Sequence, residues 1–233
     1  MKINIYADGA NKDQILQLHN NNKISGFTTN PTLMKQAGVK NYKSFAIELL
    51  SQIKDKPISF EVFADEANEM EKQAIEINSW GSNVNVKIPI MNTKKTSTVP
   101  LIKKLVGKGI LCNITAIFTI DQIKSVIDVI ESDTEIILSI FAGRIADTGI
   151  DPIPIMKEAV DLCKEFPNVK ILWASPREVL NVLHAEDAGC HIITISNDLL
   201  NKMSFFGKDL NDFSAETVKM FFDDAKSSGF NIQ

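Results

Sequence analysis

Cysteine is scarce in this chain, and the three present exclude more than they suggest. Cys112, Cys163 and Cys190 are odd in number and widely separated, with no C-x-x-C pair and no histidine at zinc-ligand spacing. They read as buried reduced thiols rather than as a disulfide or metal framework. His19, His184 and His191 are equally scattered and read as surface or packed residues, so metal catalysis is not expected. No stretch approaches the roughly 18 apolar residues of a membrane span. The start, Met1-Lys2-Ile3-Asn4-Ile5-Tyr6, carries too short an apolar run before Asp8 for a signal peptide, which makes the expected location cytoplasmic. Positive charge is not in excess either: 25 Lys and Arg against 29 Asp and Glu give a formal charge of -4. That balance argues against a nucleic-acid or membrane partner, and an anionic ligand has to be met by local positive charge. The pairs Lys94-Lys95 and Lys103-Lys104 read as solvated. No Gly-rich turn follows the first apolar run. Asp8-Gly9-Ala10-Asn11 offers one glycine and an acidic residue where a dinucleotide phosphate needs backbone amides.

What is present is alternation. No Pro-, Gly- or Ser-rich linker splits the 233 residues, and short apolar runs alternate with helix-like patterns from end to end. The runs fall at residues 2–8, 24–29, 58–63, 83–90, 109–115, 135–141, 169–175 and 191–196. Helical spacing occupies 65–79, 119–131, 153–166 and 176–187. Asp13, Thr119 and Pro176 mark helix starts, and Gly81, Gly107 and Gly189 mark helix ends. Eight strand–helix units predict one α/β domain over 1–233, a (β/α)8 TIM barrel with an extra C-terminal helix in the tail 205–233.

In such a barrel, ligands bind at the C-terminal ends of the strands. Most of the runs carry polar groups at or near their ends: Asp8; Thr28 and Asn30; Glu61; Lys87; Asn113 and Thr115; Ser139; Ser175. Arg144 and Arg177 follow just beyond. Alternation groups Asn113 and Thr115 with Leu111, Ser139 with Phe141, and Ser175 with Trp173 on interior faces, leaving Ile136, Leu138 and Ile140 to pack on helices. Taken singly, Asp8 or Asn30 reads as a turn residue or cap, the hydroxyls as partners of nearby backbone, and Arg177 as an ion pair with Glu178. Together they call for a shared polar ligand, because a buried polar group left unpaired costs about 1–3 kcal/mol. Lys87 is the most telling member. It sits in Asn83-Val84-Asn85-Val86-Lys87-Ile88-Pro89-Ile90, opposite a face of Val84, Val86, Ile88 and Ile90. Two readings stand, an exposed edge-strand lysine or a shielded amine able to lose its proton and attack a carbonyl. With a carboxylate to take a hydroxyl proton, the second supplies the parts of an aldol cleavage. Arg144, Ser175 and Arg177 suit a phosphate.

Gly26-Phe27-Thr28-Thr29-Asn30-Pro31-Thr32-Leu33 resembles the G-x-T-T-N-P-S/T-L signature of the transaldolase family. Val86-Lys87-Ile88-Pro89 resembles that family's lysine strand. Cys112-Asn113-Ile114-Thr115-Ala116-Ile117-Phe118 is similar to its N-x-T strand and Ser139-Ile140-Phe141-Ala142-Gly143-Arg144-Ile145 to its S-x-F-x-G-R-I segment. Ala174-Ser175-Pro176-Arg177 and Gly189-Cys190-His191-Ile192-Ile193-Thr194-Ile195-Ser196 resemble two later elements, in order. The resemblance implies that Lys87 forms an imine with the keto group of fructose 6-phosphate or sedoheptulose 7-phosphate. Asp8 would take the C4 hydroxyl proton, and Glu61 and Thr115 would hold a proton-shuttling water. Asn30, Asn113 and Ser139, with Thr28 and Phe141 beside them, would hold the dihydroxyacetone unit, and Arg144, Ser175 and Arg177 the phosphate. No cofactor is implied.

Two further activities stay open on the same resemblance. Fructose-6-phosphate aldolases release free dihydroxyacetone and are similar to a pattern with Gln at position 61 and Tyr at 141, where this chain has Glu61 and Phe141. A non-catalytic sugar-phosphate-binding barrel is the other. The chain departs from the family pattern at Gly9, Ile140 and Pro176. Its short length is similar to that of the compact subgroup, which implies a homo-oligomer, a pentamer or decamer, with the C-terminal helix reaching a neighbour. Six of the 13 phenylalanines fall in residues 205–230, which fits either that contact or packing on the chain's own barrel.

Overall fold

Each apolar run becomes a strand whose alternate side chains face the barrel interior and the surrounding helices. In the computed structural model, which describes residues 2–232, eight parallel strands close into a barrel in sequence order. They are β1 (Asn4–Asp8), β2 (Ile24–Thr28), β3 (Ile58–Glu61), β4 (Val84–Pro89), β5 (Cys112–Ile117), β6 (Ile136–Ile140), β7 (Val169–Trp173) and β8 (Ile192–Ser196), with β8 pairing back onto β1. The helices are α1 (Lys12–His19), α2 (Pro31–Gln36), α3 (Tyr42–Gln52), α4 (Ala67–Asn78), α5 (Val99–Val106), α6 (Ile120–Ile127), α7 (Ala142–Asp147), α8 (Pro152–Leu162), α9 (Asn181–Asp187), α10 (Asn197–Lys202) and α11 (Leu210–Ser227). The (β/α)8 barrel with a C-terminal helix is therefore the fold.

Strand register separates the two faces. Asp8 pairs with Thr28 and Thr28 with Ser59; Glu61 pairs with Lys87, Lys87 with Asn113 and Asn113 with Ile137. Register partners share a face, so this series lines the interior. Val86, Ile88, Cys112, Ile114, Leu138 and Ile140, on the opposite face, are fully buried under the helices. Deep in the barrel, Tyr6, Ile137, Leu172, Ala174 and Ile192 form an apolar plug on which Phe141 packs.

β7 corrects one expectation from alternation. Its inward residues are Leu172 and Ala174, so Trp173 faces outward, in register with Ile140. Ser175 nevertheless returns to the interior, because its backbone turns left-handed (φ 60°) just past the strand and breaks the alternation.

Helix starts also follow side-chain capping more closely than composition. Thr119 caps α6 in a full capping box with Gln122. α1 is capped by Asn11, whose Oδ1 accepts from Gln14 N at 3.0 Å, rather than by Asp13. Residues 176–180 form a turn and not the first part of a helix. Asn181 Oδ1 accepts from the amides of Arg177 and Glu178 (2.8 and 3.2 Å) and holds the chain there until α9 begins. Lys94, Lys103 and Lys104 are solvated as expected and meet Glu66, Glu131 and Glu71.

The chain divides into two units, one ending at Leu200 and the other beginning at Asn201. In the second unit, α11 is capped by Asp209, whose Oδ1 accepts from Asn211 N at 2.8 Å. Lys208 lies over the rings of Phe205 and Phe213. Among the described residues no helix is long and apolar enough to cross a membrane.

Candidate active site

The C-terminal ends of the strands open into a cavity of about 470 Å³. Lining it are Asp8, Thr28, Asn30, Glu61, Lys87, Asn113, Thr115, Ser139, Phe141, Arg144 and Ser175, eleven of the twelve residues singled out from the sequence. Arg177 is not among the lining residues.

Lys87 is 7% exposed, which removes the edge-strand reading. Its Nζ donates to the Thr29 carbonyl at 2.9 Å and lies 3.1 Å from Glu61 Oε2. The backbone of both partners is held. Thr29 is tied to Ser59 O by its amide and its hydroxyl (3.2 and 2.9 Å), and the Glu61 carbonyl accepts from Tyr42 Oη at 3.0 Å. Desolvating two such ions costs several kcal/mol each, so a pair this buried gives stability little and the amine's position much.

Asp8 stands across the cavity. Its Oδ1 accepts from Thr28 Oγ1 at 2.8 Å, and that hydroxyl also bonds Thr194 Oγ1 at 2.5 Å. Burial pushes the Asp8 carboxyl above its ordinary 3.8; Lys87 and the Thr28 hydrogen bond pull it back, and Glu61 pushes it further up. The adjoining Gly9 has its amide held by Thr28 O at 3.1 Å. A side chain there would meet nothing within 4 Å, so the departure at this position is tolerated by an open surround.

A chain of amide and hydroxyl groups covers the cavity floor. Ser139 Oγ donates to Asn113 Oδ1 at 2.6 Å, and Asn113 Nδ2 donates to Ser59 Oγ at 3.1 Å. Asn30 combines both readings made of it: Oδ1 caps α2 by accepting from Leu33 N at 3.0 Å, and the residue lines the cavity. Thr115 is 3% exposed, and the following Ala116 has a left-handed φ of 58° where the register of β5 with β6 shifts; both residues line the cavity.

The cationic side is built by α7 and the turn after β7. Arg144 Cζ lies 5.6 Å from the centre of the Phe141 ring, which Phe118 flanks. Arg177 is engaged elsewhere: Nε and Nη2 donate to Asp147, and Nη1 donates to Ser175 O and Oγ (3.1 and 3.0 Å). The ion pair foreseen with Glu178 is thus made with Asp147. A Cβ at Gly143 would sit 1.5 Å from Ser175 O, so only glycine lets α7 lie against that turn. A Cβ at Gly26 would fall 2.7 Å from the Tyr6 ring, which would have to shift to admit it.

Three participants escaped the sequence reading: Thr194, Ser59 and Asp147. Thr194 and Ser59 face inward between Ile and Phe neighbours that face the helices, a usable signal that their strand-forming composition hides. Asp147 lies seven residues beyond β6 and had none.

The profile of the Transaldolase/Fructose-6-phosphate aldolase family matches residues 5–233 of the chain. A "Probable transaldolase" of Thermoanaerobacter sp. (strain X514) is 31% identical over 228 residues, 97% of this chain and 99% of that protein. A "Probable transaldolase" of Caldicellulosiruptor saccharolyticus is 33% identical over 202 residues, covering 86% and 88%. One from Dehalococcoides mccartyi is 31% identical over 200 residues, covering 85% and 89%.

Proposed function

The chain belongs to the transaldolase/fructose-6-phosphate aldolase family, and from that premise we propose that it is a transaldolase. It moves a dihydroxyacetone unit from fructose 6-phosphate or sedoheptulose 7-phosphate to an aldose phosphate through an imine on Lys87. The observation that carries the reading is the seating of Lys87 Nζ, buried 3.1 Å from a carboxylate and open to a cavity that also holds Asp8.

Glu61 accepts a proton from the Lys87 ammonium as the donor's keto carbon arrives, which frees the nitrogen lone pair to add to C2. Glu61 and the Thr115 hydroxyl then pass protons through a water as the carbinolamine loses its oxygen. Asp8 takes the proton of the C4 hydroxyl, the C3–C4 electron pair moves into the imine, and the aldose phosphate departs, leaving an enamine. A carboxyl raised by burial is a stronger base than an ordinary one, which supports this role. Thr28, Asn30, Asn113 and Ser139 hold the hydroxyls of the retained unit. Arg144, Ser175 and Arg177 hold the phosphate, which competes with Asp147 for the Arg177 fork. The enamine carbon attacks the acceptor aldehyde, Asp8 returns its proton, and water hydrolyses the new imine.

Glu61 and Phe141 support transfer over release to water. A tyrosine hydroxyl at 141 would supply a proton to the enamine carbon, whereas the phenylalanine ring has none to give. The reading carries with it a cytoplasmic location and a homo-oligomer of five or ten copies. Glyceraldehyde 3-phosphate formation from fructose 6-phosphate, followed with and without erythrose 4-phosphate, tests it. Transferase activity makes formation depend on the acceptor, and acceptor-independent turnover points to the aldolase.

A further inference from the structure

We infer that Thr194 is a positioning residue that acts on Asp8 through Thr28. Hydrogen-bond accounting carries the inference. Ionised Asp8 can only accept, so Thr28 Oγ1 spends its single proton on Asp8 Oδ1 at 2.8 Å. In its 2.5 Å contact with Thr194 Oγ1, Thr28 must therefore be the acceptor and Thr194 the donor. The proton order runs Thr194 to Thr28 to Asp8, across β8, β2 and β1. Both hydroxyls are more than nine-tenths buried, Thr28 at 3% and Thr194 at 7% exposure, so water does not readily replace either.

Such a chain acts on charge. A hydroxyl that is itself accepting a hydrogen bond is a better donor, so the Thr194 bond strengthens the one that Thr28 makes to the carboxylate. It favours ionised over neutral Asp8 and fixes which oxygen faces the neighbouring strands. The charged groups facing Asp8 are Lys87 on β4 and Glu61 on β3, with Arg144 of α7 in the same cavity; β2 and β8 present the hydroxyls of Thr28, Thr194 and Ser196, which do not titrate at ordinary pH. Thr194 thus opposes the effect of burial through Thr28, without touching the carboxylate itself.

The consequence for turnover rests on the reading of Asp8 as the base in carbon–carbon cleavage; the effect on the carboxyl itself does not. Two measurements on Thr194→Val and Thr194→Ser keep these apart. Titration of the 13C-labelled Asp8 carboxyl, assigned with Asp8→Asn, follows the group directly. The pH profile of fructose 6-phosphate turnover with erythrose 4-phosphate follows its use. We expect the Asp8 midpoint in Thr194→Val to rise by about half to one pH unit, the fraction of a charge-assisted hydrogen bond lost when its donor is weakened. The acidic limb of kcat should move with it, and serine should restore both. An Asp8 midpoint unchanged in Thr194→Val, or raised equally in Thr194→Ser, overturns the proposal. A midpoint that shifts while the acidic limb stays fixed upholds the relay and overturns Asp8 as the base. Thr194→Ala, which deletes the hydroxyl without adding bulk, carries the same measurements if the valine protein does not fold.

Discussion

Lys87 is buried and Asp8 half-buried, and they are held by different means: the amine has a charged partner at 3.1 Å, and the carboxylate has a hydroxyl chain. That difference separates their mutational signatures. Asp8→Asn should abolish cleavage, about 10²-fold or more in kcat, while leaving Lys87 able to form its imine, which peptide mass analysis after borohydride reduction would detect. The same variant should be more stable at neutral pH. Because burial raises the folded-state pKa of Asp8 above its ordinary 3.8, the stability contributed by its protonated form is complete below that value and is lost as pH rises through the raised one. Asparagine removes the loss, so Tm of the variant exceeds that of the parent at neutral pH, and the difference closes as pH falls toward 3.8. A lower Tm at neutral pH would contradict this balance. At positions 61 and 141, Glu61→Gln with Phe141→Tyr should raise acceptor-independent release of dihydroxyacetone relative to transfer, read from glyceraldehyde 3-phosphate formation without erythrose 4-phosphate. The strand alone left Lys87 with two readings, and it was the polar groups at the ends of the other strands that favoured the shielded one, which its 7% exposure bears out. Thr194 was not legible in the sequence, because threonine is common in strands and its role depends on a partner 166 residues away.

At the scale of elements, two close approaches decide whether the site forms. α7 packs its Gly143 on the Ser175 carbonyl, and β2 packs its Gly26 on the Tyr6 ring. Gly143→Ala places a Cβ against backbone that cannot rotate away, so a loss of about 3 kcal/mol or more is expected, together with a raised KM for the phosphorylated donor. Unfolding in denaturant and steady-state kinetics check both parts; wild-type values would remove the proposed constraint. Gly26→Ala meets a movable ring and should cost less. Strand existence and order were readable from the apolar runs, since period two with inward polar ends leaves few alternatives. Boundaries after β7 were not. The left-handed turn at Ser175 and the capping of Arg177 and Glu178 by Asn181 replace the first turn of helix expected at Pro176. Both depend on contacts between segments rather than on local composition.

The whole molecule combines a barrel unit that holds every candidate site residue with a second unit beginning at Asn201. In that second unit α11 has no buried residue, and Val218, Phe221 and Phe222 are each more than 60% exposed. Exposed apolar side chains grouped on one helix favour association. Truncation after Phe206 should therefore lower the oligomeric mass measured by light scattering, and an unchanged mass would count against assembly through this helix. The barrel's own claim is chemical. Incubation with fructose 6-phosphate and borohydride, followed by peptide mass analysis, should place one reduced dihydroxyacetone adduct on the peptide carrying Lys87 and none on Lys87→Arg. An adduct on another lysine, or a turning-over enzyme with no adduct, would contradict the account.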